Sequence, residues 1–213
     1  MQRLFLASLF NGVSDLFLGF TGEELKGKTV TFIPTASVPE KVNFFVGSGR
    51  KALLKLGLTV DELEISTATA DEISGKLRRN DYIYVTGGNT FFLLQELKRT
   101  GADKIILQQI EAGKLYIGES AGAMIVSPNI EYAKGLDDCK KAPELDGFAA
   151  LNAVEIYPLP HHTNQPFKRA VEKIIDKYGA DLPLRPISNS QAILVNGNDI
   201  SIKSQENGLM RQK

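Results

Sequence analysis

Cysteine is almost absent from this sequence, and its scarcity limits what the protein can be. Cys139 is the only cysteine among 213 residues. An internal disulfide framework and a multi-cysteine metal site are therefore excluded. A lone thiol suits a reducing compartment, so the sequence predicts a cytoplasmic protein.

The sequence also lacks an excess of charge and a long apolar run. Its 25 basic and 25 acidic residues give a formal net charge of +0, so the basic surface of a nucleic-acid-binding protein is not expected. No apolar run reaches the roughly 18 residues of a membrane span. The apolar N-terminus is compatible with a signal peptide, but Asn11, Gly12, Ser14 and Asp15 interrupt it and favour a buried first strand. We expect neither a nucleic-acid nor a membrane partner.

What the sequence does contain is an alternation of apolar runs and amphipathic segments. Buried strands are predicted at residues 3–9, 29–36, 81–88, 115–120 and 154–160, with a strand nearer the sheet edge at 58–66. Helices are predicted at 42–56, 71–77, 90–100, 103–112 and 166–178. The alternation indicates a parallel sheet covered on both faces. Residues 192–204 contain "NGND" between two strand-like runs, which predicts an antiparallel C-terminal hairpin.

Length and composition favour one domain over residues 1–213, because 43% of the residues are hydrophobic. Ligand sites in open α/β sheets lie beyond the carboxyl ends of the strands. The segments in which to look for chemistry are therefore the strand exits at 8–14, 34–37, 87–89, 118–123 and 160–164.

The most informative of these exits is "GESAG" at 118–122, which matches the G-x-S-x-G nucleophile elbow. In such an elbow a serine sits on a crowded strand-to-helix turn that tolerates only small neighbours. The helix that follows offers unpaired N–H groups to a developing oxyanion. A tight turn or a close helix–sheet contact would account for the same small residues, so the motif alone leaves three interpretations.

A serine nucleophile needs a base and, usually, an acid that orients the base. The only two histidines, His161 and His162, are adjacent at a predicted strand exit. The segment 133–147, between the serine and these histidines, offers four carboxylates, and a solvated loop explains most of them: Asp137, Asp138, Glu144 and Asp146. An oxyanion site would take one N–H from Ala121 and a second from Gly88, although "TGGNT" also suits a plain turn with an Asn or Thr cap.

Taken together, the segments "GGNTFFLL", "YIGESAGAMIVSPNI" and "LNAVEIYPLPHHTN" resemble the peptidase E family of serine peptidases, the aspartyl dipeptidases, whose wider relatives include the cyanophycinases. The resemblance covers nearly the whole chain. It implies a flavodoxin-like α/β fold, a three-layer sandwich related to class I glutamine amidotransferases. It also implies a Ser–His–acid triad that works on a small peptide substrate without a metal or an organic cofactor.

The resemblance assigns roles to particular residues. It implies that Ser120 is the nucleophile, that His161 is the base, and that the acid is Asp138, with Asp137 as the alternative. Gly88 and Ala121 take the oxyanion role. The residues expected to contact the substrate are Asn89, His162 and Thr163. The chain departs from the aspartyl dipeptidases after the histidines, where a segment with basic residues is shortened and only Lys168 and Arg169 are near. A strict preference for an N-terminal aspartate is therefore left open.

Three alternatives accompany this hypothesis. An α/β-hydrolase esterase has the same order of triad residues, but about forty residues between Ser120 and His161 leave little room for its further elements. An amidotransferase would need a cysteine nucleophile, and Cys139 lies in another segment. A catalytically silent binding or sensor protein on the same scaffold is the third. The sequence permits a monomer or a homodimer.

Overall fold

The computed structural model describes residues 1–205. A seven-stranded sheet lies at its centre, formed by β1 (Arg3–Ala7), β2 (Thr29–Ile33), β3 (Thr59–Glu62), β4 (Tyr82–Val85), β5 (Leu115–Glu119), β8 (Gln191–Asn196) and β9 (Asp199–Ser204). A separate two-stranded sheet contains β6 (Tyr157–Leu159) and β7 (Leu184–Pro186). The helices are α1 (Ser14–Thr21), α2 (Phe44–Lys55), α3 (Ala70–Arg79), α4 (Thr90–Thr100), α5 (Ala102–Glu111), α6 (Ala121–Met124) and α7 (Lys168–Tyr178).

The strands of the large sheet follow the order β3-β2-β4-β5-β1-β8-β9. The first five strands in this order pair in parallel, and β8 pairs antiparallel with β1 and with β9. The predicted parallel sheet, its edge strand at β3 and the antiparallel C-terminal hairpin are all confirmed. The hairpin turns at Gly197, whose φ of 61° is readily adopted by a residue without a side chain.

The large sheet is apolar on both faces, and strand β1 shows why. Leu4 and Leu6 point to one hydrophobic cluster, whereas Phe5 and Ala7 point to the other, because successive side chains of a strand alternate between faces. Helices α3, α4 and α5 contribute to the first cluster, and α1 and α2 contribute to the second. The predicted three-layer α/β architecture is thereby confirmed.

Helix α4 has the bounds that the sequence predicts, because both of its ends carry specific signals. The Asn89 side chain accepts a hydrogen bond from the backbone N–H of Phe92 at 2.9 Å, and Gly101 ends the helix in the left-handed conformation. Helix α1 was not predicted. Its sequence, SDLFLGFT, buries Phe17 and Thr21 on one face, a pattern too short to stand out from the apolar run before it.

The strand predicted at 154–160 differs from the observed one. Only Tyr157–Leu159 is extended, and it pairs in parallel with β7 instead of joining the large sheet. Pro158 and Pro160 lack the N–H groups that a central strand needs on both sides, and a short pairing outside the large sheet avoids this cost. Helix α7 begins at Lys168, two residues after the predicted start. None of the helices within residues 1–205 combines the length and apolarity needed to cross a membrane.

Candidate active site

Ser120 occupies a sharp turn between β5 and α6. Its φ of 49° and ψ of −107° are costly for a residue with a side chain. The turn is held in place because the Ser120 N–H donates to the carbonyl of Ala7 at 2.9 Å. The serine is half-buried and lines a cavity of about 760 Å³, so its hydroxyl faces a space that can receive a ligand.

The glycines on either side of the serine permit a close contact between α6 and the sheet. A Cβ at Gly122 would lie 2.2 Å from the carbonyl oxygen of Val85, and one at Gly118 would lie 2.3 Å from the carbonyl oxygen of Gly122. No side chain fits at either position. The G-x-S-x-G spacing therefore reflects packing of the turn against β4 and β5.

The imidazole of His161 meets this serine across the cavity. Its Nε2 lies 2.9 Å from Ser120 Oγ, which is hydrogen-bonding distance. The residue has a φ of 64°, in the left-handed region, and its ring stacks on Phe167 with centroids 4.6 Å apart. The two side chains that the sequence proposes as nucleophile and base are thus brought together from positions 41 residues apart.

The small β6–β7 sheet carries the histidine to this position. His162 donates its backbone N–H to the carbonyl of Ile187 at 3.0 Å, which joins the two strand exits. Asn189 follows β7 as His161 follows β6, and its N–H donates to Asn164 Oδ1 at 2.8 Å. Parallel pairing therefore places Asn189 beside His161, because the carboxyl ends of paired parallel strands lie at the same edge.

The second ring nitrogen of His161 faces a hydroxyl and an amide. Nδ1 lies 3.0 Å from Ser8 Oγ and 3.1 Å from Asn189 Oδ1. The Ser8 hydroxyl donates to Asn189 Oδ1 at 2.6 Å and accepts from the His161 backbone N–H at 2.9 Å. Both atoms thus present lone pairs to Nδ1, which must carry the proton. Nε2 is then free to accept the proton of Ser120.

Burial lowers the pKa of His161, and the hydrogen bond from its ring to Asn189 partly opposes this effect. The desolvated imidazole disfavours its charged form. His161 is accordingly neutral at neutral pH, which is the state required of a base.

The carboxylates expected to orient the histidine lie elsewhere. Asp138 accepts a hydrogen bond from the backbone N–H of Lys140 at 3.0 Å, and Asp137 accepts from the N–H of Thr90 at 2.9 Å and from its hydroxyl. Their loop packs against the N-terminus of α4, whose unpaired N–H groups attract carboxylates. The structure therefore brings an amide and a hydroxyl, and not the expected carboxylate, to Nδ1.

The two expected oxyanion donors belong to segments that border the serine. A Cβ at Gly87 would lie 3.1 Å from Ser120 Cβ, so this backbone already touches Ser120. Gly88 has a φ of 136°, and a Cβ there would lie 2.1 Å from the carbonyl oxygen of Ala36. Within residues 1–205 no acceptor is found for the N–H of Gly88 or of Ala121. Gly88 lines the cavity, and Ala121 directly follows Ser120, which also lines it.

The three residues expected to contact the substrate do not line the cavity. Asn89 is buried and uses both ends of its amide, because Oδ1 caps α4 and Nδ2 donates to the carbonyl of Asp138 at 3.0 Å. His162 and Thr163 do not line the cavity, and the Thr163 hydroxyl donates to the carbonyl of His162 at 2.6 Å. Lys168 and Arg169 are exposed on α7 and also lie outside the cavity lining.

Ser8 and Asn189 are the site residues that sequence reasoning missed. Ser8 begins the strand exit 8–14, but a serine there has no special spacing. Asn189 stands in "ISNSQ", an ordinary turn sequence, and no signal in it indicates a contact with a histidine. Clusters of three or more side chains suited to a metal ion are not found in the described part of the chain.

A buried carboxyl group belongs to the residue that precedes Ser120 and also lines the cavity. Glu119, the residue before Ser120, accepts a hydrogen bond from the Tyr84 hydroxyl and another from the N–H of Phe10 at 3.1 Å. Burial raises the pKa of Glu119 to about 7, although both hydrogen bonds favour its ionised form. This raised pKa brings the titration of Glu119 close to neutral pH.

Comparison with known proteins agrees with this architecture. The sequence model described as Peptidase family S51 matches residues 6–203. An uncharacterized peptidase of Listeria monocytogenes is 57% identical over 203 residues, covering 95% of this chain and 98% of that protein. Peptidase E of Shigella sonnei is 31% identical over 150 residues, covering 69% of this chain and 61% of that protein.

A crystal structure of a candidate peptidase E protein from Listeria monocytogenes superposes with a TM-score of 0.92. Its sequence is 56% identical, and the match covers 96% of this chain and 99% of that one. The agreement thus extends from the sequence to the arrangement of the strands and helices. The chain belongs to peptidase family S51.

Proposed function

We propose that this protein is a serine-type peptidase that hydrolyses short peptides through an acyl-enzyme. The single observation that carries the proposal is the 2.9 Å separation between Ser120 Oγ and His161 Nε2 at the edge of a cavity. A hydroxyl becomes nucleophilic when a neutral imidazole accepts its proton. The depressed pKa of His161 keeps the imidazole in that form.

In the proposed reaction, Ser120 attacks the scissile carbonyl while His161 takes the hydroxyl proton. The N–H groups of Gly88 and Ala121 bind the oxyanion of the tetrahedral intermediate, each contributing on the order of 3 kcal/mol. His161 then gives its proton to the leaving amine, and the acyl-enzyme forms. Water, deprotonated by the same imidazole, releases the acid and restores Ser120.

The orienting group in this mechanism is an amide. Asn189 and Ser8 hold the Nδ1 proton of His161, a role that asparagine fills in papain-like peptidases. Neither group is charged, so they stabilise the imidazolium less strongly than a carboxylate would. In exchange they fix the ring and its tautomer, and they leave the resting imidazole neutral over a wider range of acidic pH.

Two rival functions are less well supported by the site. A silent sensor built on the same scaffold would have no need for a strained serine and an aligned imidazole. An α/β-hydrolase esterase would place further strands of the large sheet between the two residues, whereas here β6 lies outside that sheet. We also propose a cytoplasmic location and a monomeric or homodimeric state.

The test compares the parent with Ser120→Ala on a dipeptide library that includes Asp-X, Glu-X and neutral members. We expect kcat to fall by about 10⁴- to 10⁶-fold with the fold unchanged. A fluorophosphonate probe should label the parent and fail to label Ser120→Ala. Ser204→Ala, an exposed serine on β9, is the control and should behave as the parent does. Full turnover by Ser120→Ala would reject the proposal.

A further inference from the structure

The charges around the cavity point to the kind of peptide it receives, and this inference rests on the proposed function. Besides Glu119, four charged residues line the cavity: Glu40, Asp137, Asp138 and Lys141. Lys141 is the only cation among them, and its Nζ already lies 2.8 Å from Glu40 Oε1. An acidic substrate side chain would therefore find no uncommitted cation among the described residues of the lining.

Asp137 is the carboxylate whose surroundings best suit a bound cation. Its Oδ2 is fixed by the N–H and the hydroxyl of Thr90. Its Oδ1 takes part in no hydrogen bond within residues 1–205, and the half-buried side chain lines the cavity. Burial raises the pKa of Asp137 to about 6, with Thr90 opposing the rise. The group is thus ionised at neutral pH but poorly solvated, a condition that an added cation relieves.

The position of Asp137 relates it to the reacting atoms. Thr90, which holds the carboxylate, is three residues from Gly87, and Gly87 touches Ser120. Three residues span at most about 10 Å. Asp137 and Ser120 line the same cavity, and this short connection keeps the carboxylate near Ser120. In a peptide cleaved after its first residue, the α-ammonium is separated from the scissile carbonyl by one carbon atom, so the two groups must be bound close together.

Apolar side chains form another part of the lining. Val42 and Phe44 are 58% and 78% exposed, and Phe45 is half-buried beside them. All three contribute to the cavity wall. Such a wall gains free energy when it covers an apolar side chain and offers nothing to a carboxylate. An uncharged, apolar first residue matches this surface.

We propose that Asp137 binds the α-ammonium group of the substrate, and that the substrates are short peptides with a free amino terminus and an apolar first residue. Asp137 is a binding residue in this assignment and takes no part in proton transfer. The specificity differs from a preference for N-terminal aspartate, since both the anchor and its neighbours repel a second carboxylate.

Binding to a chain that cannot turn over provides the test. In the Ser120→Ala background, calorimetry would measure the Kd of leucyl-alanine, aspartyl-alanine and N-acetyl-leucyl-alanine. We expect leucyl-alanine to bind roughly 10- to 100-fold more tightly than either of the others, the range for one charge-assisted hydrogen bond. When Asp137→Asn is added to Ser120→Ala, leucyl-alanine should bind no more tightly than N-acetyl-leucyl-alanine. The Kd of the acetylated peptide should not change.

Asp146→Asn is the matched control, because this exposed aspartate on the same connecting segment lies outside the cavity lining. It should preserve the preference for the free amine. Unchanged affinity for the acetylated peptide shows that Asp137→Asn is folded. Equal binding of free and acetylated peptides by the Ser120→Ala chain, or tighter binding of aspartyl-alanine, would overturn the inference. Failure of the parent to hydrolyse any peptide would instead reject the proposed function, and the binding result would still stand.

Discussion

The Nδ1 atom of His161 lies 3.1 Å from the amide oxygen of Asn189, a neutral partner. This relationship predicts the effect of Asn189→Asp. A carboxylate at this position would favour the charged imidazole and raise the pKa of His161. Because a base works only when it is unprotonated, activity is lost as pH falls through this pKa. The acidic limb of kcat/KM against pH should therefore move to higher pH in the variant.

The measurement is a pH profile of kcat/KM for the parent and Asn189→Asp. Asn189→Ala distinguishes an effect of charge from loss of the contact, because it should lower kcat about 10- to 1,000-fold without moving the limb upward. If the acidic limb lies at the same pH in the parent and in Asn189→Asp, a carboxylate at this position does not raise the pKa of His161, and the prediction is wrong.

Ser8 is predicted to act as a positioning residue. Its buried hydroxyl accepts from the backbone N–H of His161 and donates to Asn189, so Ser8→Ala leaves both groups without this partner. We expect kcat to fall about 10- to 100-fold with little change in KM, because the imidazole is misplaced while the cavity wall is unaltered. Steady-state kinetics on one dipeptide would check this. If KM rose by the same factor as kcat fell, Ser8→Ala would have disturbed the cavity as a whole and not the imidazole alone.

The adjacent glycines of the β4 exit should respond differently to an added methyl group. Gly88→Ala meets the carbonyl oxygen of Ala36 at 2.1 Å from a backbone with φ of 136°, so we expect loss of stability by a few kcal/mol together with activity. The Cβ of Gly87→Ala meets Ser120 Cβ at 3.1 Å and two atoms at ordinary contact distances of 3.7 and 3.8 Å, and the backbone has no positive φ. Gly87→Ala should lower kcat while leaving the melting temperature close to that of the parent. Similar melting temperatures for the two variants would contradict the geometry.

Glu119 should make stability depend on pH. Its pKa is about 7 in the folded chain against 4.5 ordinarily, so folding favours the protonated form. The corresponding stability is fully present below pH 4.5 and is lost as pH rises through 7. At roughly 1.4 kcal/mol for each pH unit between the two values, the loss approaches about 3 kcal/mol.

Glu119→Gln removes the titration, keeps an acceptor oxygen for the Phe10 N–H and turns an amide N–H toward the Tyr84 hydroxyl oxygen, which then accepts. The free energy of unfolding, measured by urea at several pH values, should therefore decline less steeply from pH 4.5 to 7 in the variant than in the parent. Glu111→Gln, at an exposed position on α5, is the control and should retain the parent slope. Parallel curves for the parent and Glu119→Gln would mean that this carboxyl stays in one protonation state.

Much of the fold could be predicted because its signals are local. The apolar run of β4, with all four residues buried, reads as a strand from its own composition. Asn89 and Gly101 mark the ends of α4 within the helix sequence itself. Ser120 could be selected because its glycine neighbours are needed wherever such a turn packs on a sheet. His161 could be selected because the chain has only two histidines and both follow one strand.

The surroundings of the imidazole could not be obtained in this way. Asn189 reaches His161 only through the pairing of β6 with β7, and Ser8 reaches it from a strand 153 residues away in sequence. Asp137 is drawn instead to the N-terminus of α4. Hydrophobic periodicity and turn chemistry act over a few residues, whereas the partner of a ring nitrogen depends on which loops the whole sheet brings together. Local physics thus specified the scaffold and made Ser120 and His161 recognisable as candidates, and tertiary packing placed the amide of Asn189 beside the imidazole.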